Sequence, residues 1–421
     1  MFKRIPTGFF ALWVLGGLLS ITSATEVIIS ELMYNPAAGQ PEYIELQNLT
    51  ASPLDIARWE CTDGVDYTFP DFSALNPEDT FLEPFERILL SPVDETTLRA
   101  AYPSIPPGTR IFGPYSGSLD DGGERVTVKD KNGVGVTTVS YDDTGRWPAG
   151  PDGTGHSLVV INSDRVVDDY RNWRTSYVQQ GTPGADPASP GLLHDKVQFS
   201  ELEFSTSNTV LWVEVYNASQ APLSASGLWI ASGTSLSNKV ALSGSVPGTG
   251  YASWDVNLPL DGGDAVLFLI DGSDVVIDAI DLDVHATRNF AQTLPAGSDE
   301  WYSSSTGTRD TVNDPDRTTD IVINELMIDP VSQSRDGEYI ELVNRGGAPL
   351  DIGGWELEGA VDFSFPLNTI IPAGGYLVVA ANLDYFTTVY GGGINALGNL
   401  DGQLENDGEL LHLKDNEGNL A

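Results

Sequence analysis

Cysteine is almost missing from this chain of 421 residues, with Cys61 alone. No intramolecular disulfide can form, so every folded unit has to stand on its apolar core. Histidine is scarce as well. His156, His194, His285 and His412 lie far apart, and neither His-Glu-x-x-His nor Cys-x-x-Cys occurs, which removes the usual zinc arrangements. Positive charge is the third shortage: 21 Lys and Arg face 60 Asp and Glu, for a formal net charge of −39. Such a surface repels phosphate backbones and anionic headgroups, which excludes nucleic acid as a partner of these residues. There is no Gly-x-Ser-x-Gly for a serine nucleophile and no Gly-Lys-Ser/Thr for a phosphate loop, so two large enzyme classes lose their signatures.

Long apolar runs are confined to the start. Lys3 and Arg4 precede an apolar stretch over residues 9–21, followed by Thr22, Ser23 and Ala24. Basic flank, short apolar run and small residues make residues 1–24 a signal peptide by pattern, with cleavage expected after Ala24. The run is shorter than the roughly 20 residues that a bilayer span needs. No later stretch matches it, so the mature chain is expected to be secreted, extracellular or at the cell surface, and free of the membrane.

What is present is a repeat. VIISELMYNP from Val27 returns as IVINELMIDP from Ile321, and VQFSELEF from Val197 is a weaker copy. Each is followed by an alternating segment ending in Asn, EYIELQN at 42–48, LWVEVYN at 211–217 and EYIELVN at 338–344. The period of two puts Tyr43, Glu45 and Gln47 on one face of a strand and Ile44 and Leu46 on the other. A Pro-Leu step and a tryptophan come next, at Trp59, Trp229 and Trp355, nearly the same distance from Glu31, Glu201 and Glu325. That register suggests core packing, whereas Trp147, Trp173, Trp254 and Trp301 are less regular and are the candidates for an exposed glycan platform. Acidic Asp/Asn-Gly turns then lead into further alternating strands, as hairpin chemistry requires.

Helical periodicity is confined to about 94–102 and about 382–390, each with an Asp or Asn placed to cap its start. Many short strands between Gly, Asp and Pro turns predict an all-β fold of tandem antiparallel sandwiches, with a short helix in the first and third units. The divisions are residues 25–187, a shorter divergent unit at 192–316, and 320–421. Turn-rich linkers at 181–191 and 307–319, stiffened by proline, predict an extended and semi-rigid array.

These residues resemble the lamin tail domain, an immunoglobulin-like sandwich also found in exported bacterial proteins. The resemblance rests on ISELMYNP at 29–36, EYIELQN at 42–48, PLDIARW at 53–59, RILLSP at 87–92 and a closing block. That block reads RWPAGPDGTGHSLVVIN at 146–162, NWRTS at 172–176 and GTPG at 181–184. The third copy reaches Ala421 before any such block, so the resemblance implies a unit cut short of the strands that close the sandwich. The middle copy offers only a loose echo at 289–313.

For chemistry, Glu31, Glu201 and Glu325 recur, and glycoside hydrolysis needs two carboxylates in fixed relation. No second carboxylate is evident along the chain, so a structural role is expected and no catalytic, cofactor or metal residue is assigned. Calcium is the one cation left open, at Asp120 with Asp121, Asp261 with Asp264, or Asp278 with Asp281 and Asp283, none at EF-hand spacing. The expected function is a non-catalytic extracellular scaffold, spacer or adhesion module with a protein or cell-surface glycan ligand. The alternative, implied by the resemblance, is an accessory region of an exported nuclease, phosphatase or kinase-like enzyme whose catalytic domain lies beyond residue 421. No feature sets an oligomeric state.

Overall fold

The structure is a computed structural model. It describes residues 26–71, 81–188, 193–194, 196–205, 209–233, 236, 238–260, 265–282, 290–294, 301–304, 307–313, 320–331, 334–405, 411–416 and 418. Residues 1–24, expected to be a signal peptide, lie outside them.

The opening strand of the first unit, Val27–Met33, sits inside a six-stranded sheet. On one side it pairs with Tyr43–Asn48, then Arg87–Leu90 and Arg110–Phe112; on the other it meets Leu158–Val160 and Trp173–Thr175. A five-stranded sheet built on Gly123–Lys129 and Gly135–Asp142 faces it. Between them lie Ile28, Leu32, Ile44, Leu46, Trp59, Val126, Val139 and Leu158, all buried. The inward positions of alternating strands supply this core, as expected where each sheet keeps one face dry.

The second unit repeats the plan with a five-stranded sheet around Val197–Ser205 and a four-stranded sheet around Leu228–Ser232. In the third, a four-stranded sheet runs Ile321–Met327, Tyr339–Asn344, Tyr376–Ala380, Ala396–Gly398 and faces a second four-stranded sheet. Trp59 and Trp355 are core residues, as their register implies, and Trp229 packs half-buried beside Lys239.

The two helices form where the sequence places them. α1 spans Glu95–Ala101 and α2 spans Leu383–Tyr390, capped by Asp94 and Asn382, whose side chains accept from Thr97 N and Tyr385 N. Each helix carries the chain between two parallel strands, Arg87–Leu90 to Arg110–Phe112 and Tyr376–Ala380 to Ala396–Gly398. The first and third sandwiches are therefore not wholly antiparallel, because a parallel neighbour needs a crossover and these helices supply it. In the second unit the long strand Gly250–Pro259 occupies the place of the Arg87–Leu90 strand.

The first two units do not stand apart as an extended array would. Ala149 of the first packs among Ala231, Val266, Phe268, Ile270 and Val276 of the second. Val276 N donates to Tyr177 O at 3.0 Å, and the His156 ring lies 5.3 Å from that of Phe268. Residues 181–184, composed like a linker, belong to the first sandwich itself.

Candidate functional site

The recurrent glutamate does have a partner, one strand over. A β-bulge interrupts the opening strand between Ile29 and Glu31, so that Glu31 falls directly opposite Glu45. The same shift sets Glu201 opposite Glu214 and Glu325 opposite Glu341. A bulge leaves one extra residue unpaired and breaks strict alternation. That frees the bulged residue to turn toward the same pair: Ser30 Oγ donates to Glu45 Oε1 at 2.6 Å, Ser200 Oγ to Glu214 Oε1 at 2.7 Å, and Asn324 Nδ2 to Glu341 Oε1 at 2.7 Å. The reading that no second carboxylate stood in fixed relation is thereby corrected. Its signal was the recurrent Glu inside EYIEL, WVEV and EYIEL.

Around the first pair every carboxylate oxygen is engaged. Glu31 Oε1 accepts from Tyr43 OH at 2.6 Å, Ser157 Oγ at 2.6 Å and Thr182 N at 3.0 Å, while Oε2 accepts from Thr182 Oγ1 at 3.2 Å. Glu45 Oε2 accepts from Gly184 N at 2.7 Å, and Arg87 Nε stands 3.1 Å from Oε1. Both glutamates are 1% exposed. Burial holds the Glu45 carboxyl above the ordinary carboxylate range, with the charge of Glu31 adding to it.

The second pair is held alike. Thr308 N reaches Glu201 Oε2 at 2.7 Å, Thr308 Oγ1 reaches Oε1 at 3.1 Å, and Asp310 N donates to Glu214 Oε2. Burial pushes Glu214 up to about 7 and raises Glu201. Gly181-Thr182 and Gly307-Thr308 are thus counterparts, which makes the echo at 289–313 a true closing segment. Its strand, Phe290–Thr293, pairs with Val197–Ser205 as Leu158–Val160 pairs with Val27–Met33. Glycine is required at both turns. A Cβ on Gly181, whose φ is +64°, would stand 1.9 Å from Glu31 Oε1, and one on Gly307 would stand 2.5 Å from Trp212 Cζ2.

Chemically this is a clasp. Paired carboxylates suggest acid and base work, but a catalytic pair must meet a substrate. Here the Gly-Thr turn covers the pair too closely to admit even a methyl group. A second recurrent polar residue serves the same end. Asn48 Nδ2 donates to Ser52 O, Leu82 O and Glu83 O, while Asn217 and Asn344 repeat the arrangement in their own units.

The remaining candidates are dispersed. Asp120 and Asp121 line a shallow cleft of 520 Å³ with Tyr34 and Glu42, and burial pushes Glu42 up to about 7. Asp278 is committed to Phe199 N and Ala279 N, and Asp261, Asp264 and Asp283 lie outside the described residues. Among the described residues no three His, Cys, Asp or Glu side chains converge to hold a metal ion. Trp173 is buried, and Trp147, Trp254 and Trp301 are half-buried and packed against the cores, so none of the four is a fully exposed ring. Among the described residues no helix is long and apolar enough to cross a membrane.

The family model for the Lamin Tail Domain matches residues 20–143 and 315–421, more than half of the chain. The chain belongs to the lamin tail domain family. Its matched spans fall on the first and third sandwiches, and the lamin tail repeat is visible in their shared bulge, glutamate pair and capping Asn. No curated protein matches the chain. Lamin tail domains are immunoglobulin-like β-sandwiches, generally non-catalytic modules.

Proposed function

We propose that the chain is an exported, non-catalytic scaffold whose tandem sandwiches space or display other secreted components. The observation that carries this reading is the fate of the recurrent polar residues. Glu31, Glu45, Glu201, Glu214 and the three asparagines are consumed in internal hydrogen bonds that hold strands and turns together. What repeats along the chain is thus the means of closing a fold, the expected pattern where units are multiplied for reach or display. Export is supported by the basic, apolar and small-residue order of residues 1–24. The acidic surface suits a protein that stays in solution at high concentration.

Expression of the full gene in a secreting bacterial host, with mass determination of the released chain, tests the reading. A product beginning at Thr25 outside the cytoplasm is expected. A chain retained inside the cell with Met1 intact would refute export.

A further inference from the structure

The second sandwich differs from its neighbours on the outer face of its four-stranded sheet. Glu60 faces Lys129 across the strands of the first unit and Glu356 faces Lys414 in the third, but the same place in the second holds Trp229 and Ile270. One pair along, Thr62 with Thr127 and Glu358 with His412 give way to Ala231 with Phe268. An apolar face on both sides of a sheet needs a cover on both. The first sandwich supplies the outer one from its closing block, with Ala149 and the ring of His156. The bond from Val276 N to Tyr177 O fastens the two units at the rim.

His156 brings a titratable ring into this joint. The residue is fully buried, its Nδ1 lies 3.0 Å from Ser176 O, and its Nε2 has no hydrogen-bond partner among the described residues. A carbonyl can only accept, so the proton of the neutral ring sits on Nδ1 and a second proton has to enter at Nε2. The charged and ionisable groups on the elements around the ring are committed elsewhere. Glu31 accepts from Ser157 Oγ and Thr182 N, and Asp278 accepts from Phe199 N and Ala279 N. Arg174 and His194 both lie against the ring of Tyr177.

We propose that this joint is acid-operated: protonation of His156 at Nε2 parts the first two sandwiches while each stays folded, and uncovers the apolar outer face of the second. A buried imidazolium without an acceptor is costly. The ring of Phe268, with its centroid 5.3 Å away, offers that ion less than the water it gives up. In the closed joint burial holds the imidazole down to about 4, and parting restores its ordinary value. The open form therefore binds more protons as pH falls from the ordinary histidine range toward about 4, and the closed form loses ground through that window.

Hydrogen exchange of the full chain, corrected for the intrinsic rate at each pH, tests the proposal. The amide of Val276 spans the joint, whereas Val128 and Leu269 lie in central strands of single sheets. From about pH 7 to about pH 5, protection at Val276 should fall about twentyfold, the ratio set by an open ring at about 6.5 and a closed one at about 4. Protection at Val128 and Leu269 should hold. His156→Gln and His156→Phe remove the titrating ring, and each should keep Val276 protection constant over the same interval. Four results would overturn the proposal. Val276 could stay as protected at the lower pH as at the higher. The fall could persist in either variant, which would assign the sensitivity to His194. Val128 and Leu269 could fall equally, which would mean unfolding of whole sandwiches. The His156 ring, followed by NMR in the parent chain, could titrate near about 6.5. If both variants are already parted at the higher pH, the ring titration decides alone. None of these readouts depends on where the chain acts, so their failure leaves the export reading untouched.

Discussion

The opening strands of the first and third sandwiches, VIISELM and IVINELM, are close to the same sequence in different surroundings. Every residue of Val27–Met33 is buried, whereas Asn324, Glu325 and Leu326 stand exposed. The bulge, the glutamate opposite and the tyrosine bond to the glutamate are common to both. The local sequence therefore decides the backbone path and the placing of the carboxylates. What it does not decide is whether they are covered, which depends on a strand and a turn more than a hundred positions away. Among the described residues, a buried pair that accepts six hydrogen bonds and an open pair that accepts two are the same device in two conditions.

The largest break in that comparison comes at the turn. Gly181→Ala forces a side chain into the left-handed region and against Glu31 and Tyr43, and should cost the first sandwich about 2–4 kcal/mol. The transition of the third sandwich in the same calorimetric scan should stay where it is. Next in size is Glu31→Ala, which strips Tyr43, Ser157 and Thr182 of their acceptor and should cost about 2–3 kcal/mol. Glu325→Ala, at an exposed edge, should stay within about 0.5 kcal/mol. Equal losses from the two substitutions in urea titrations would abolish the distinction between closed and open units. Asn48→Ala and Asn344→Ala sharpen the comparison from the other side. Both asparagines are fully buried and bonded alike, so each should cost about 2 kcal/mol, with no difference between the units.

The smallest effect is a dependence on pH. Glu214 titrates higher in the folded chain, at about 7, than in the unfolded chain. Between the ordinary carboxylate range and that value the folded state binds more protons, so its contribution to stability falls as pH rises through the window. His156 acts in the opposite sense. Buried against Phe268, it is lowered to about 4, and its contribution is lost as pH falls from the ordinary histidine range toward that value. Glu214→Gln should therefore flatten the decline of stability between about pH 4.5 and about 7 in denaturant titrations. A slope identical to that of the parent chain would show that Glu214 stays ionised.

Much of this architecture is legible in the residues. The caps Asp94 and Asn382 mark both helices, alternation places Tyr43 and Glu45 on one face, and the registered tryptophans mark the cores. The glutamate pair is hidden because alternation describes one strand at a time, while the pairing of Glu31 with Glu45 is a matter of register across a bulge. The role of the Gly-Thr turns is hidden for a different reason: by composition they read as linker, the resemblance places only GTPG at 181–184 in a closing block, and contact with distant carboxylates shows what both turns do. The direct packing of the first two units had no signal, since Phe268, Ile270 and Val276 read as ordinary strand residues.

The bond from Thr182 N to Glu31 joins residues 151 positions apart. A chain made from its N-terminus leaves Val27–Met33 without its closing strand until Val160, and without its closing turn until Gly184, has been synthesised, and loop closure over such a span is slow relative to local hairpins. For that interval the first sandwich has the open edge that the third displays. Its nascent state is a strand acceptor in search of a donor, and any chaperone that shields extended edges meets it then.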